Sequence, residues 1–455
     1  MNASYKFLIA LMLPAVLTGC SKYLDLKPDK HMIIPTTLED CEVLLNDYST
    51  LNTRYPTFGE ISADDYYVTD INLKSISDVD EKNAYLWLEQ PISQPFQWQN
   101  SYKVVYQANQ ILSVVNDIAK TAKNESQYNN IIGAACFYRG FAFSQLISVF
   151  ALPYNKSTAT QTPGIPLRLS ADMDYVSIRA NLEESYNQVI SDFKTAVKLL
   201  SINKVDKIRP AKAAAYAALA RVYLDMQNYE NAYLYADSTL QIKSDLINFN
   251  SLNTALSLPI QRFNEEVLFP ATTPISSPMS ISFAKIDTFL YKSYEQHDLR
   301  KKVFFKENTG VNAKTYAFKG SYDNTNSTSF VGLSTSEIHL IRAEAAARTG
   351  RISIAQDDIE QLLLHRYLPG ESPEITESDP QLLLTFILNE RRKELVFRGR
   401  RWADLKRLNA DARFAKTILR YMDGKEYRLD PNSLKYAVLI PQTVIDESAI
   451  EQNLR

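Results

Sequence analysis

Apolar residues recur at the three-and-four spacing of an α-helix through the first half of the chain, and this periodicity restricts the fold more than any other feature. Tyr102, Val105, Tyr106, Asn109, Leu112, Val115 and Ile118 share one helical face, and 128 to 149 repeats the pattern with Ile131, Ile132, Ala135, Ala142 and Leu146. A third helix begins at Asn181, which can cap it. Glu184 stands at the capping-box position, and Leu182, Tyr186, Val189, Ile190, Phe193, Val197 and Leu200 form the buried stripe. Only 12 of 455 residues are glycine, roughly 3% against a usual ~7%, which disfavours Gly-rich phosphate loops and turn-dense β architecture. Tyrosine is in excess at 27, and a tyrosine can pack its ring in a helical core or offer a ring face to a ligand.

Pro210 opens a further helix through Met226, and a partner follows over 229 to 242. Tyr216, Leu219, Ala220, Tyr223 and Ala232 fall where a tetratricopeptide repeat places its aromatic, leucine, small, aromatic and small residues. The same step recurs between Ala343 and Ala355, with Ala346 replacing the second aromatic. Two such pairs so far apart predict a helical scaffold with long insertions, not a continuous solenoid. The insertions, 50 to 98, 151 to 176 and 250 to 335, are rich in polar residues and proline with scattered aromatics, the composition of functional surfaces or of disordered segments. Short β-prone runs at 266 to 269, 302 to 305 and 315 to 318 predict small hairpins. The fold class is mostly α: a tetratricopeptide-like helical-pair scaffold with long irregular insertions and a few short β-hairpins.

The N-terminus carries Lys6, an apolar run over 7 to 17 and then Leu17-Thr18-Gly19-Cys20, the pattern of a bacterial lipoprotein export signal. It predicts a signal peptide over 1 to 19 and a mature chain beginning at Cys20, the attachment point for fatty acyl groups such as palmitate. The run is too short to cross a bilayer of ~30 Å, and no other stretch is expected to span one. Acyl chains would hold the body of the protein at a membrane surface while the rest stays in water. An ordinary secretory signal with an incidental Cys20 is the alternative. Loss of Lys6 with the leader moves the formal charge from −2 to −3, which gives no electrostatic case for nucleic acid. Cys41 and Cys136 lie in apolar helical patterns, and a disulfide and two buried thiols are equally open readings.

Near the C-terminus runs Asn389-Glu390-Arg391-Arg392-Lys393-Glu394-Leu395-Val396-Phe397-Arg398-Gly399-Arg400-Arg401-Trp402-Ala403-Asp404-Leu405-Lys406-Arg407. It resembles the signature of the SusD/RagB family of nutrient-binding outer-membrane lipoproteins of Bacteroidetes, with Arg398 where that family usually has Glu. Other matches keep the family's order. Cys20-Ser21-Lys22-Tyr23-Leu24-Asp25-Leu26-Lys27-Pro28 is similar to the mature start, Trp98, Tyr102 and Asn109 to the first long helix, 209 to 224 and 336 to 345 to the repeat helices, and Leu439-Ile440-Pro441 with Gln452-Asn453 to the ending. The resemblance implies a lipid-anchored receptor on the extracellular side, a SusC-like TonB-dependent transporter as partner, and an N-terminal region over 20 to 245 joined to a C-terminal region over 246 to 455 in one globular unit.

Residue chemistry alone allows Glu390 and Glu394, four apart on a helix, to act as a glycosidase pair. Arg391 can pair with Glu394, and Glu390 with Lys393 or Arg391, beside the apolar Leu388, Leu395, Phe397 and Trp402, so an ion-pair ladder is the better account. The eight cations and three acids of 390 to 407 are interleaved with core-type residues, which favours internal pairing over nucleic acid. His31, His297, His339 and His365 lack metal-ligand spacing, and nucleophile and phosphate-loop motifs are missing, so neither enzyme activity nor a cofactor is expected. Asp78-Val79-Asp80-Glu81-Lys82-Asn83 lacks the glycine and final glutamate of a calcium loop and reads as a solvated loop. Asp64, Asp65, Tyr66 and Tyr67, with Tyr85 and Trp87, set acceptors beside rings in an irregular region and are the first ligand-binding candidates. Tyr291 and Tyr294, with Tyr316, Phe318 and Tyr322, are the second group, while Trp98 and Trp402 read as packing. Ring faces stack on sugar C–H faces and carboxylates accept hydroxyl hydrogen bonds, so the expected ligand is a nutrient oligosaccharide. A peptide, as for a RagB-like uptake protein, is the alternative, and a helical-repeat assembly factor without a small ligand is a third.

Overall fold

In the computed structural model, which describes residues 35 to 455 apart from Met173, Tyr175 and Ala449, the Asn181 side chain accepts the Glu184 amide at 2.8 Å and the Glu184 carboxylate accepts the Asn181 amide at 3.0 Å. This capping box starts helix Leu182–Leu199 where the sequence places it. The periodic runs upstream form helices Phe96–Asn116 and Glu125–Phe150, and the latter packs between the other two. Gly140 permits that closeness, since a Cβ there would lie 3.1 Å from both Asp192 and Phe193. Glu125–Phe150 is long and apolar enough to cross a membrane, contrary to the expectation that no stretch beyond the leader could span one. The reason is packing: 78% of its most apolar window is buried inside the protein. The leader and Cys20 lie outside the described residues.

Lys212–Asp225 pairs with Tyr229–Leu240, and Thr335–Arg348 with Ile352–Leu364, at the repeat-like positions. The two pairs are not separate in space. Tyr229–Leu240 packs on Thr335–Arg348, so the long insertion loops out and the helical stack continues through Pro380–Glu394. Ala217, Ala220, Ala232, Ala343, Ala346 and Ala355 are fully buried, and their small side chains bring the helices together.

The insertions are tied down by short antiparallel strand pairs. Tyr66–Tyr67 joins Lys285–Ile286, Val267–Phe269 joins Leu333–Ser334, Thr272–Pro274 joins Thr328–Phe330, and Phe305–Glu307 joins Tyr316–Phe318. Two expectations are corrected here. Residues 302 to 304 end the short helix Arg300–Phe304, and the strand begins only at Phe305. The segment from Asp78 is not a solvated loop, because Asp78 accepts the Glu81 amide at 3.0 Å and caps helix Val79–Tyr85. Cys41 and Cys136 are free buried thiols, pushed up to about 11 and about 12, chiefly by burial. Thr37–Arg455 forms one compact unit.

Buried ion pairs join scaffold to insertions. Glu394, on Pro380–Glu394, takes Arg366 Nη2 at 2.9 Å and Arg300 Nη1 at 3.5 Å. Arg366 also meets Glu266 at 2.6 Å, and Arg300 meets Asp298 at 2.7 Å and Glu390 at 2.6 Å, while Glu390 holds Lys393 at 2.5 Å. The expected Arg391–Glu394 rung does not form. Arg391 turns to Asp404 at 2.9 Å, because the last turn of this helix is buried against other elements and Arg300 and Arg366 already engage Glu394. Burial alone would push Asp404 up, but Arg391, Arg407 and Arg400 override it and hold the carboxyl below its ordinary range.

Removing one member leaves its partners charged and buried. Glu394→Ala is therefore expected to cost about 3–5 kcal/mol in urea unfolding, and a loss under ~1 kcal/mol would contradict this account of the network.

Candidate functional site

Asp64 and Asp65 are buried, and their acceptor capacity is taken by the protein. Asp64 binds Arg401 at 2.6 Å and Lys416 at 2.6 Å, and Asp65 binds Arg392 at 2.9 Å. For Asp64, burial is overridden by Arg401 and Arg392, and its carboxyl is held well below the usual range; for Asp65, burial wins over the same arginines and the carboxyl is raised. Tyr66, Tyr85 and Trp87 are buried too. They surround a cation of the protein itself: the Arg420 guanidinium lies 3.6 Å from the Tyr85 ring centre, 4.4 Å from Trp87 and 6.0 Å from Tyr66. Tyr294 is likewise internal, donating its hydroxyl to the Lys393 carbonyl at 2.7 Å. These six side chains, expected to meet a ligand, are thus placed inside the protein, where the charge density of 390 to 420 engages them as internal counter-charges and ring walls. Tyr67 and Tyr291 remain half-exposed, the latter stacked on Tyr316 with ring centres 3.5 Å apart. Trp98 and Trp402 are core residues, as expected.

The same burial closes the route to a glycosidase built on Glu390 and Glu394. Both carboxylates are enclosed and matched by arginine or lysine, with no face open to a sugar or a hydrolytic water. Among the described residues, no group of three or more His, Cys, Asp and Glu side chains is arranged to hold a metal ion.

A cleft of about 400 Å³ lies where the first insertion meets the start of Phe96–Asn116 and strand Thr272–Pro274, within the size range of ligand pockets. Its floor is rigid. Gln97 accepts the amides of Thr57 at 2.7 Å and Phe58 at 3.1 Å, the Thr57 and Ser276 hydroxyls meet at 2.9 Å, and Glu81 accepts the Ser277 amide at 3.0 Å. Its rim is different. The Phe96 ring is 61% exposed, and the side chains of Arg54, Gln94 and Asn100 stand beside it with no protein hydrogen-bond partner among the described residues. Asp78 adds an exposed carboxylate. Sequence reasoning passed over Phe96, although a signal was present: it falls off the stripe of Trp98, Val105 and Ile111, on the face shared by Gln99 and Lys103, where an aromatic has no core to join. A second cleft of about 390 Å³ is lined by Lys204, Lys207, Lys243 and Phe263.

Residues 22–224 match a family profile described as SusD-like, starch-binding and associating with the outer membrane, and residues 288–438 match that of the SusD family. The chain belongs to the SusD/RagB family. SusD-like protein P38 of Formosa agariphila is 24% identical, with 90% of this chain and 92% of the relative covered. A SusD superfamily protein from Bacteroides thetaiotaomicron superposes with a TM-score of 0.74 at 22% identity, covering 92% of this chain and 100% of the other. Surface glycan-binding protein A from Bacteroides uniformis superposes at 0.69 and 15% identity, covering 91% and 98%. The mostly helical, tetratricopeptide-like scaffold is thus the SusD fold, and the signature segment of that family supplies its buried ion pairs.

The turn between helices Pro380–Glu394 and Arg401–Leu408 approaches Glu60, whose carboxylate accepts the Gly399 amide at 2.7 Å. Burial, with Asp65 adding to it, pushes this carboxyl up to about 8 against that hydrogen bond and Arg400. Because the unfolded chain ionises near 4.5, folding loses stability as pH rises from about 4.5 to about 8. Glu60→Gln keeps an acceptor for the amide and removes the titration. Scanning calorimetry should find the variant's Tm advantage growing between the low and high ends of that window; an unchanging difference would rule the effect out.

Proposed function

We propose that this SusD/RagB protein captures a nutrient oligosaccharide in the cleft at Phe96. It does so at the cell surface, moored by acyl groups on Cys20, and passes the ligand to a SusC-like TonB-dependent outer-membrane transporter. The observation that carries the reading is the exposed Phe96 ring beside side chains of Arg54, Gln94 and Asn100 that have no partner among the described residues. An apolar ring face suits the C–H face of a pyranose, while a guanidinium, two carboxamides and the Asp78 carboxylate offer donors and acceptors for its hydroxyls. The rigid floor beneath keeps this arrangement formed before ligand arrives, which lowers the ordering cost of binding. The starch-binding description of the matched family profile and the glycan-binding relative support the same ligand class. The protein binds and hands over, and does not turn over its ligand. A peptide is the second reading: the cleft carrying Lys204, Lys207 and Lys243 would favour acidic side chains.

Calorimetric titration against a panel of oligosaccharides and acidic peptides tests the ligand class. Phe96→Ala is expected to weaken saccharide binding by about 1–2 kcal/mol, roughly 5- to 30-fold, with the circular dichroism unchanged. Undiminished saccharide affinity in that variant moves the site elsewhere, and binding of peptides alone replaces the ligand class. Mass spectrometry of the native N-terminus should find Cys20 acylated, and detergent extraction of outer membranes should recover a large β-barrel with the protein; an unmodified residue 20 or its repeated isolation alone would remove the tether or the transporter from the proposal.

A further inference from the structure

Arg398 sits in the turn between helices Pro380–Glu394 and Arg401–Leu408, flanked by Phe397 at φ 57° and Gly399 at φ 69°. The Gly399 position is closed to other residues, since a Cβ would stand 2.8 Å from a Val331 methyl in a backbone region that L side chains rarely adopt. This turn places Arg398 in the interior, with 3% of its surface exposed. Its guanidinium carbon lies 3.0 Å from the centre of the Tyr322 ring and 5.7 Å from that of Phe330.

Nε, Nη1 and Nη2 of Arg398 are all buried without an acceptor from the protein. The other buried arginines differ. Arg300, Arg366, Arg391, Arg400 and Arg407 each meet a carboxylate, and Arg420 donates to the Ala63 carbonyl at 2.6 Å. Among the described residues, Arg398 is the one buried arginine none of whose nitrogens reaches an acceptor. A guanidinium cannot shed its proton at any physiological pH, and leaving it buried without a counter-charge is costly. The Tyr322 ring face offsets part of that cost, but Tyr322 donates its hydroxyl to Glu266 at 2.6 Å, and Glu266 already serves Arg366.

Beside the guanidinium is a cavity of about 30 Å³. Its wall holds no carboxylate. Ser321, Thr325, Thr328 and Ser329 line it together with the rings of Phe318 and Phe397; the Thr328 hydroxyl is engaged, donating to Asp323 at 2.6 Å, which leaves those of Ser321, Thr325 and Ser329. The hydroxyls of Ser321, Thr325 and Ser329 can donate, so the cavity beside the guanidinium favours negative charge. The volume exceeds the ~10–15 Å³ needed for one water and is far too small for a sugar.

We propose that Arg398 and the hydroxyls around this cavity bind a single chloride-sized monovalent anion. Such an ion would neutralise the cation and fasten the 395 to 400 turn to strand Thr328–Phe330 and to the 275 to 284 loop. Ile275 lines both this cavity and the Phe96 cleft, so the bound anion also braces one wall of the cleft. The assignment does not depend on which ligand the cleft takes.

Thermal unfolding of the full mature chain is compared in sodium chloride and in sodium gluconate at equal ionic strength. Chloride is expected to raise Tm by about 2–4 °C along a saturating curve, and gluconate, too large for the cavity, is not. Crystals grown with bromide in place of chloride should show an anomalous peak beside the Arg398 guanidinium. Arg398→Met, close in shape and uncharged, should abolish the chloride-specific rise. Equal melting of the parent in both salts, water and no bromide at the guanidinium, or a chloride effect that survives in Arg398→Met would each overturn the proposal; a variant that fails to fold leaves the two measurements on the parent to decide it.

Discussion

The interior of this protein is organised by arginine–carboxylate pairs that have no access to solvent. Glu394, Arg366 and Glu266 form one chain of contacts, and Glu390, Arg300 and Asp298 another, meeting where Arg300 approaches Glu394. Burying so many charges gives little net stability, since desolvation consumes most of the attraction. Its effect is selectivity. An alternative packing would strand a charge in a medium of low dielectric, so insertion residues such as Glu266 and Arg300 are held in one register against the scaffold residues Arg366, Glu390 and Glu394.

That constraint divides the molecule into parts with different freedom. The helical stack and the signature segment are locked by mutual charge and by the small alanines between helices. The strand pairs such as Tyr66–Tyr67 with Lys285–Ile286 carry the lock outward into the insertions. The rim around Phe96 lies beyond it, attached to a hydrogen-bonded floor but with the side chains of Arg54, Gln94 and Asn100 uncommitted among the described residues. A scaffold built this way can change its rim residues without disturbing the core.

The long helices were legible because their signals are local. Period, capping box and alanine spacing are properties of neighbouring residues, and Leu182–Leu199 begins at its predicted cap. The hairpin Ile418–Met422 with Lys425–Leu429 had a local signal as well, an Asp423-Gly424 turn with φ 51° and 72°, but the strands are short and the flanking charges hid their alternation. The adjacency of the two repeat-like pairs had no such signal, since nothing in 250 to 335 says that it loops out and returns. The candidate site was read from composition. Asp64, Asp65, Tyr66, Tyr85 and Trp87 have the chemistry of sugar contacts, yet the same chemistry serves Arg392, Arg401 and Arg420, which lie more than three hundred residues away in the chain.

The order of charged and apolar residues was enough by itself to determine a helical, tetratricopeptide-like scaffold and membership of the SusD/RagB family, because both are written in short-range patterns. Whether a given carboxylate or ring faces a ligand or a buried guanidinium was decided only by tertiary structure. Acidic and aromatic side chains suit both partners equally well, and which one they meet depends on distant segments brought together by the fold. Phe96 and Arg398 mark the two outcomes: a ring with no core to enter, and a cation with no acid to meet.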